Sequence, residues 1–245
     1  MIKIFLNLCI VFNTVFMIFD VYAQTNKKYH FVRIKGLSEQ VVGEKLLFEI
    51  YRRAKIPIDI TPMTGSRALA EASSGRKDGE TLRVFALGNK YPSLIRVPTA
   101  ISTLTTQGFS AKNIDINTVE DLKKYSLVRV RGVQHTKNIT QSLKNVHVLP
   151  TSELLIEFLG RGRADVGLTG RLNGLSLIKA SGLSQVTIVG KPLKILPLYH
   201  YIHKKNKALV PRIDAIIKQM VDSGDMKKLR EKYEREYLDS INPIR

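Results

Sequence analysis

Cysteine is nearly absent from this chain. Cys9 is the single one in 245 residues. It lies in an apolar stretch at the start, after Leu8, a side chain too large for the usual lipoprotein processing site. A chain that loses this stretch has no thiol, which excludes disulfide staples and cysteine metal sites. Acidic residues are also scarce, with 21 Asp and Glu against 39 Lys and Arg, leaving a formal charge of +18. That balance favours acidic partners, an anionic membrane face or anionic ligands. It does not carry nucleic-acid binding, because the basic residues are scattered and no basic run with interleaved aromatics or base-stacking motif occurs. The constellations of catalysis are missing as well. There is no nucleophile–base spacing, metal cluster or phosphate loop, and the pair an enzyme would use, Glu80 as acid and His135 as base, has no such support. No metal and no cofactor are expected. His200 and His203 stand three apart on an expected strand, which puts them on opposite faces and argues against a shared ion.

A long hydrophobic run is lacking too. Residues 4–19 are mostly apolar, but Asn7, Asn13 and Thr14 interrupt them and Asp20 follows. The stretch falls short of the roughly 20 apolar residues that span a bilayer. With Lys3 ahead of it and Val21 and Ala23 at the recognition positions, it reads as a secretory signal peptide over 1–23, cleaved before Gln24. A membrane anchor is the alternative. Export without disulfides points to a bacterial periplasm. The remaining length suits one large domain or two small lobes, and a chain that is 44% hydrophobic can build a proper core.

What is present is ordered. Residues 29–34 alternate as a first strand, and Ser38 can cap a helix reaching about Ala54 with Val42, Leu46 and Ile50 on one face. Ile56, Ile58 and Ile60 alternate as a second strand, completing a βαβ unit with parallel strands. Thr64, Gly65, Ser66 and Arg67 follow that strand. Ligands of open α/β sheets collect outside the carboxyl ends of strands, so Arg67 is either part of an anion clamp or an exposed charge beyond an N-cap at Ser66. Residues 74–98 organise the rest. A tight turn at Asp78, Gly79 and Glu80 runs to Arg83, so two carboxylates and an arginine fall in one polar turn, as a binding cleft or a solvated ion pair. A second βαβαβ set covers about 127–168, with polar turns from Arg131 to Thr136 and from Thr169 to Arg171. Residues 191–203 return as an extended connection and a strand. Ile213, Ile216, Ile217, Met220 and Val221 give a strongly amphipathic helix closed by Gly224, and a charged last helix follows.

Several runs then fall in a telling order: Ser74-Gly75-Arg76-Lys77-Asp78-Gly79-Glu80, Thr118-Val119-Glu120-Asp121-Leu122-Lys123, Val130-Arg131-Gly132-Val133, Leu159-Gly160-Arg161-Gly162-Arg163-Ala164-Asp165-Val166-Gly167-Leu168, and Val221-Asp222-Ser223-Gly224-Asp225-Met226-Lys227-Lys228-Leu229. In this order the chain resembles extracellular solute-binding proteins of family 3, the amino-acid-binding type. The resemblance implies an α/β fold of the two-lobed periplasmic-binding-protein-like type II. Each lobe is a mostly parallel sheet flanked by helices, joined by two hinge crossovers that close on a small ligand. Lobe one would be 26–106 plus 196–245, and lobe two 107–195. It also implies a periplasmic binder of a small polar solute for an ABC-type transporter, with a membrane permease or a sensor as partner, and a monomer. A ligand sensor or partner-binding protein of the same fold is the alternative, and an enzyme on it a more distant one.

The resemblance places the ligand between Arg67, Glu80 and Arg83 of lobe one and Arg131, Thr136, Thr169 and Arg171 of lobe two. Arginine suits carboxylates because its planar fork gives two parallel charge-assisted bonds. Members that bind free amino acids carry an arginine where this chain has Asn89 and Lys90, and an aspartate holding the ligand's ammonium where it has Gly170. Glycine removes that acceptor and Arg171 adds a cation. The expected preference is therefore for a carboxylate-bearing or other anionic solute over a cationic amino acid.

The leader reading has a direct check. Mass spectrometry of exported protein is expected to find an N-terminus at or near Gln24, and intact Met1 in a membrane fraction would overturn it.

Overall fold

The computed structural model describes residues 27–243, so the leader expected over 1–23 lies outside the described residues. Strand β1 (Tyr29–Ile34) leads into helix α1 (Ser38–Arg53), strand β2 (Ile58–Met63), helix α2 (Gly65–Ser73) and strand β3 (Gly79–Val84). β1 lies between β2 and β3 and is parallel to both. A short helix α3 (Leu87–Lys90) and an edge strand β4 (Leu94–Arg96) come before β5 (Ser102–Ser110). The second set follows a single 3-10 turn at Glu120–Lys124. It comprises β6 (Leu127–Val130), α4 (Gln134–Thr140), β7 (Val146–Leu149), α5 (Ser152–Gly160), β8 (Val166–Gly170) and α6 (Arg171–Ser181). The chain returns along β9 (Thr187–His203) and ends in α7 (Leu209–Asp222) and α8 (Asp225–Asp239).

The strands are continuous in the order β2-β1-β3-β9-β5-β8-β6-β7, with β4 also on β9. Both halves are parallel βαβ arrangements, and β5 and β9, antiparallel to each other, run from one half into the other. The cores follow the same division. Val42, Leu46 and Ile50 of α1 lie against Phe31, Leu82, Ile213, Ile217 and Met220. Phe109, Val128, Leu155, Ile156 and Leu159 form a second cluster, and Leu122, Leu127, Ile139, Val166 and Leu168 a third. Each buried aliphatic side chain contributes about 1.5–3 kcal/mol. The 3.6-residue spacing on α1 and α7 was therefore a sound guide to where these helices lie.

Three expectations are corrected. The polar turn expected at 78–80 is the start of β3, an interior strand flanked by β1 and β9. Glu80, Thr81 and Leu82 are all buried, and the Thr81 hydroxyl donates to the Val32 carbonyl. The polar residues misled because they sit at the start of an interior strand, paired rather than solvated. Ser38 and Ser66 do not cap their helices. Leu37 and Thr64 hold those positions with no side-chain cap, and the Ser38 hydroxyl instead bonds Ser176, 2.9 Å away, and Tyr237, 3.1 Å away. The extended connection and the returning strand are one strand, β9, which pairs with β5 on both sides of an interruption where the register shifts.

That interruption is where the halves meet. Thr106 pairs with Lys194 and Gly108 with Val189, so residues 190–193 of β9 stand opposite Gln107 alone. Buried Gln107 donates its amide to the carbonyls of Val189, at 3.1 Å, and Gly190, at 3.2 Å. This gives the carbonyls beside the break in the ladder a side-chain donor. Gly190 has φ +64°, and a Cβ there would run into the backbone carbonyl of Ile116.

Gly190→Ala combines a left-handed backbone with a collision against main chain. It is expected to destabilise by at least about 2 kcal/mol, read as a lower urea midpoint. An unchanged midpoint would show that the interruption can rearrange freely.

Candidate functional site

The first half presents an ion pair. Glu80, 1% exposed, and Arg83, 17% exposed, form a two-pronged contact. Nη2 of Arg83 lies 3.0 Å from Glu80 Oε1, and Nε binds Oε2. The same Nη2 reaches the Gly65 carbonyl at the start of α2, 3.2 Å away. The fork of Arg83 is therefore filled by its neighbours. Burial pushes the Glu80 carboxyl above its usual range, and Arg83 works against that shift. The Glu80 main chain is fixed from below. His200, fully buried, donates Nδ1–H to the Glu80 carbonyl at 2.8 Å and accepts from the Tyr51 hydroxyl at 3.0 Å through Nε2. Burial lowers the His200 pKa to about 4.

The second half contributes Thr106, His135, Thr136, Thr169, Gly170 and Arg171. Thr106 Oγ1 and His135 Nδ1 are 2.7 Å apart, joining β5 to the first turn of α4. Burial lowers His135 to about 4, so its imidazole is neutral at neutral pH. The unfolded chain takes up protons first at both histidines. The stability they contribute above about pH 6.5 is therefore lost as pH falls towards 4. The Thr136 hydroxyl donates to the Val133 carbonyl at 3.0 Å, and Thr169 Oγ1 accepts from Asn173 Nδ2 at 3.2 Å. Thr106 pairs with Gly170 across β5 and β8, which sets Thr106, His135 and the start of α6 side by side.

Of the residues singled out from sequence, Glu80 and Arg83 are together, and Thr136, Thr169 and Arg171 are built into the start of α4, the end of β8 and the start of α6. Arg67, in the first turn of α2, Arg131 and Arg171 are exposed and make no ion pair among the described residues. No cluster of three or more His, Cys, Asp or Glu suited to a metal occurs among the described residues.

Sequence reasoning missed Thr106, the bond that His135 makes to it, and Glu39. Glu39 lies in the first turn of α1 and looks in sequence like an ordinary acidic residue there. It reaches instead across to the start of α6, where the missing side chain of Gly170 leaves room: a Cβ at 170 would strike Glu39 Oε1. Burial raises the Glu39 carboxyl above its usual range, against the backbone N–H groups of Glu39 and Asn173. A cavity of about 430 Å³ opens beside it, walled by α1, β5, α6 and α8, with Arg171, Arg230, Glu234 and Arg235 on its charged side. Arg96 was not foreseen either; its guanidinium lies over the rings of Phe85, 4.1 Å away, and Tyr199, 4.5 Å away.

No family model matches the chain. The probable amino-acid-binding protein YxeM of Bacillus subtilis (strain 168) is 28% identical over 128 residues, a match that covers 49% of this chain and 48% of YxeM. The aligned part therefore spans about half the length of that relative. Solved structures match from end to end. An amino-acid ABC transporter substrate-binding protein, AbpA of Streptococcus pneumoniae Canada MDR_19A bound to L-arginine, superposes with a TM-score of 0.65. It covers 88% of this chain and 98% of AbpA at 17% identity. A histidine kinase sensor domain similar to periplasmic binding proteins gives a TM-score of 0.68, covering 86% of this chain and 97% of the domain at 14% identity. The fold is thus the two-lobed periplasmic-binding-protein-like one.

Removing Arg83 alone strands a buried carboxylate. Arg83→Ala is expected to cost about 3–5 kcal/mol of stability, measured by urea denaturation, and Glu80→Gln with Arg83→Met to recover most of it. A loss below about 1 kcal/mol would mean that the pair is water-screened.

Proposed function

We propose that this protein captures a small, carboxylate-bearing, amino-acid-like solute between two lobes, 26–106 plus 196–245 and 107–195, and delivers it to an ABC-type transporter. The observation that carries this reading is the end-to-end superposition on AbpA, a transporter's amino-acid-binding component. The chemistry at the strand ends supports it. With Arg83 held by Glu80, the cations left for a ligand are Arg67, Arg131 and Arg171. Arg67 and Arg171 stand in the first turns of α2 and α6, where partial positive charge already favours an anion. Thr136, Thr169 and the neutral His135 add uncharged polar groups for the rest of the solute. The reading includes no catalytic role, a cleaved leader and a periplasmic location. Among the described residues no helix is long and apolar enough to cross a membrane, which accords with that location. The partner is a membrane permease. Sensing is the second reading, favoured by the likeness to the histidine kinase sensor domain.

Calorimetry with glutamate, glutamine and arginine tests the capture of a carboxylate. Glutamate or glutamine is expected to bind. Arg67→Ala or Arg131→Ala is expected to weaken that binding by about 1.5–3 kcal/mol, as for a lost bond to a charged group. Both side chains are exposed, so folding is left intact. Tight arginine binding untouched by either substitution would reverse the assigned polarity.

A further inference from the structure

Among the described residues, Arg129 and Glu39 each bury a polar side-chain atom without a partner, and of the two Glu39 carries the carboxyl. Its Oε1 is buried and has no hydrogen-bond partner. A polar oxygen left this way costs about 1–3 kcal/mol, and more if it is charged. Such groups call for a functional explanation. The surroundings make a charge costly there. On one side are the Gly170 backbone and the Leu104 side chain; the Cβ that would fill this space at 170 would sit 3.3 Å from Leu104. On α1 the group facing the carboxyl is the backbone N–H of Glu39 itself, and on α6 that of Asn173. From α8, Glu234 faces it with a like charge. Of the cavity wall's arginines, Arg230 is 3.9 Å from Glu234 and Arg171 also draws Glu234 towards the charged form, while Glu231 and Arg235 are the other charged groups of that wall. Ser102, Thr103 and Thr105 of β5 complete the wall without charge.

The contact joins the two halves. α1 belongs to the core of the first, and α6 follows β8 of the second. The Ser38–Ser176 bond and the burial of Leu172 in the first core lie on the same seam. Any movement that separates α1 from α6 brings water to Glu39, and water stabilises the carboxylate far more than the carboxylic acid.

We propose that Glu39 is a proton-linked latch, its carboxyl uncharged while α1 and α6 are in contact and releasing its proton to solvent as they part. The sign follows from linkage. The joined form binds one more proton than the parted form. The ratio of joined to parted molecules therefore falls by up to about tenfold per pH unit. The fall begins near 4.3, where a solvated glutamate titrates, and ends at the higher pKa of the buried carboxyl.

The test needs no ligand, so its outcome is separate from that of the capture reading. Spin labels at Ala70→Cys and Asn138→Cys, in a Cys9→Ser background of the full chain, report the distance between the halves from about pH 4.5 to about pH 9. The wild-type sequence is expected to lengthen this distance as pH rises. Glu39→Gln is expected to hold the short distance throughout, and Glu234→Gln to keep the transition. Carbon-13 titration of the Glu39 carboxyl, without any substitution at 39, is expected to show a midpoint above that of an ordinary glutamate. A distance independent of pH, the same pH course in Glu39→Gln, or an ordinary Glu39 midpoint would each overturn the latch.

Discussion

The pairing of β5 with β9 is the constraint on which the rest depends. These strands are the one covalent and hydrogen-bonded seam common to both halves of the described sheet. The seam is ordered at both ends and interrupted in the middle, with Gln107 supplying donors where the ladder stops. A ladder unbroken through this point would resist bending, and a gap without Gln107 would leave buried carbonyls unpaired. At the interruption the Gln107 amide bonds the carbonyls of Val189 and Gly190 in place of a continuous ladder. The helix starts around the candidate site take their positions from this seam. Thr106 lies immediately before the interruption and holds both His135 and the backbone of Gly170.

Electrostatics divide the site into spent and unspent charge. Glu80 and Arg83 neutralise each other beneath the surface, on a backbone anchored by His200 and Tyr51. Burying both partners costs desolvation that the pair offsets through geometry rather than through net attraction. Such a pair shapes a wall and contributes little net charge to a ligand. The exposed arginines at 67, 131 and 171 make no ion pair among the described residues, although Arg171 also acts on Glu234. An overall charge of +18 adds a long-range field that draws anions towards them.

Much of the fold was legible because its signals are periodic. Val42, Leu46 and Ile50 recur on one helical face, and Ile58 and Ile60 alternate. The site was less legible, for reasons seen at particular residues. Arg83 reads the same in sequence whether its fork is free or filled, and only the register of β3 puts Glu80 within its reach. Glu39 lies far along the chain from Gly170, and nothing local to either marks the contact. Ser38 has the residue type of a cap, yet tertiary partners claim its hydroxyl. Pairings between distant segments carry no periodic trace, and this site is made of them.

The place of β9 in the chain has a consequence for biosynthesis. β3 gains its second neighbour only when residues 198–202 have been made, and the first core is incomplete without α7. The first three strands thus leave the ribosome early but wait, with an open edge, for most of the polypeptide to follow. At about 5–20 residues per second the delay is several seconds or more. During that interval the first half of the sheet stays incomplete. It also offers an unpaired strand that must be shielded from its neighbours.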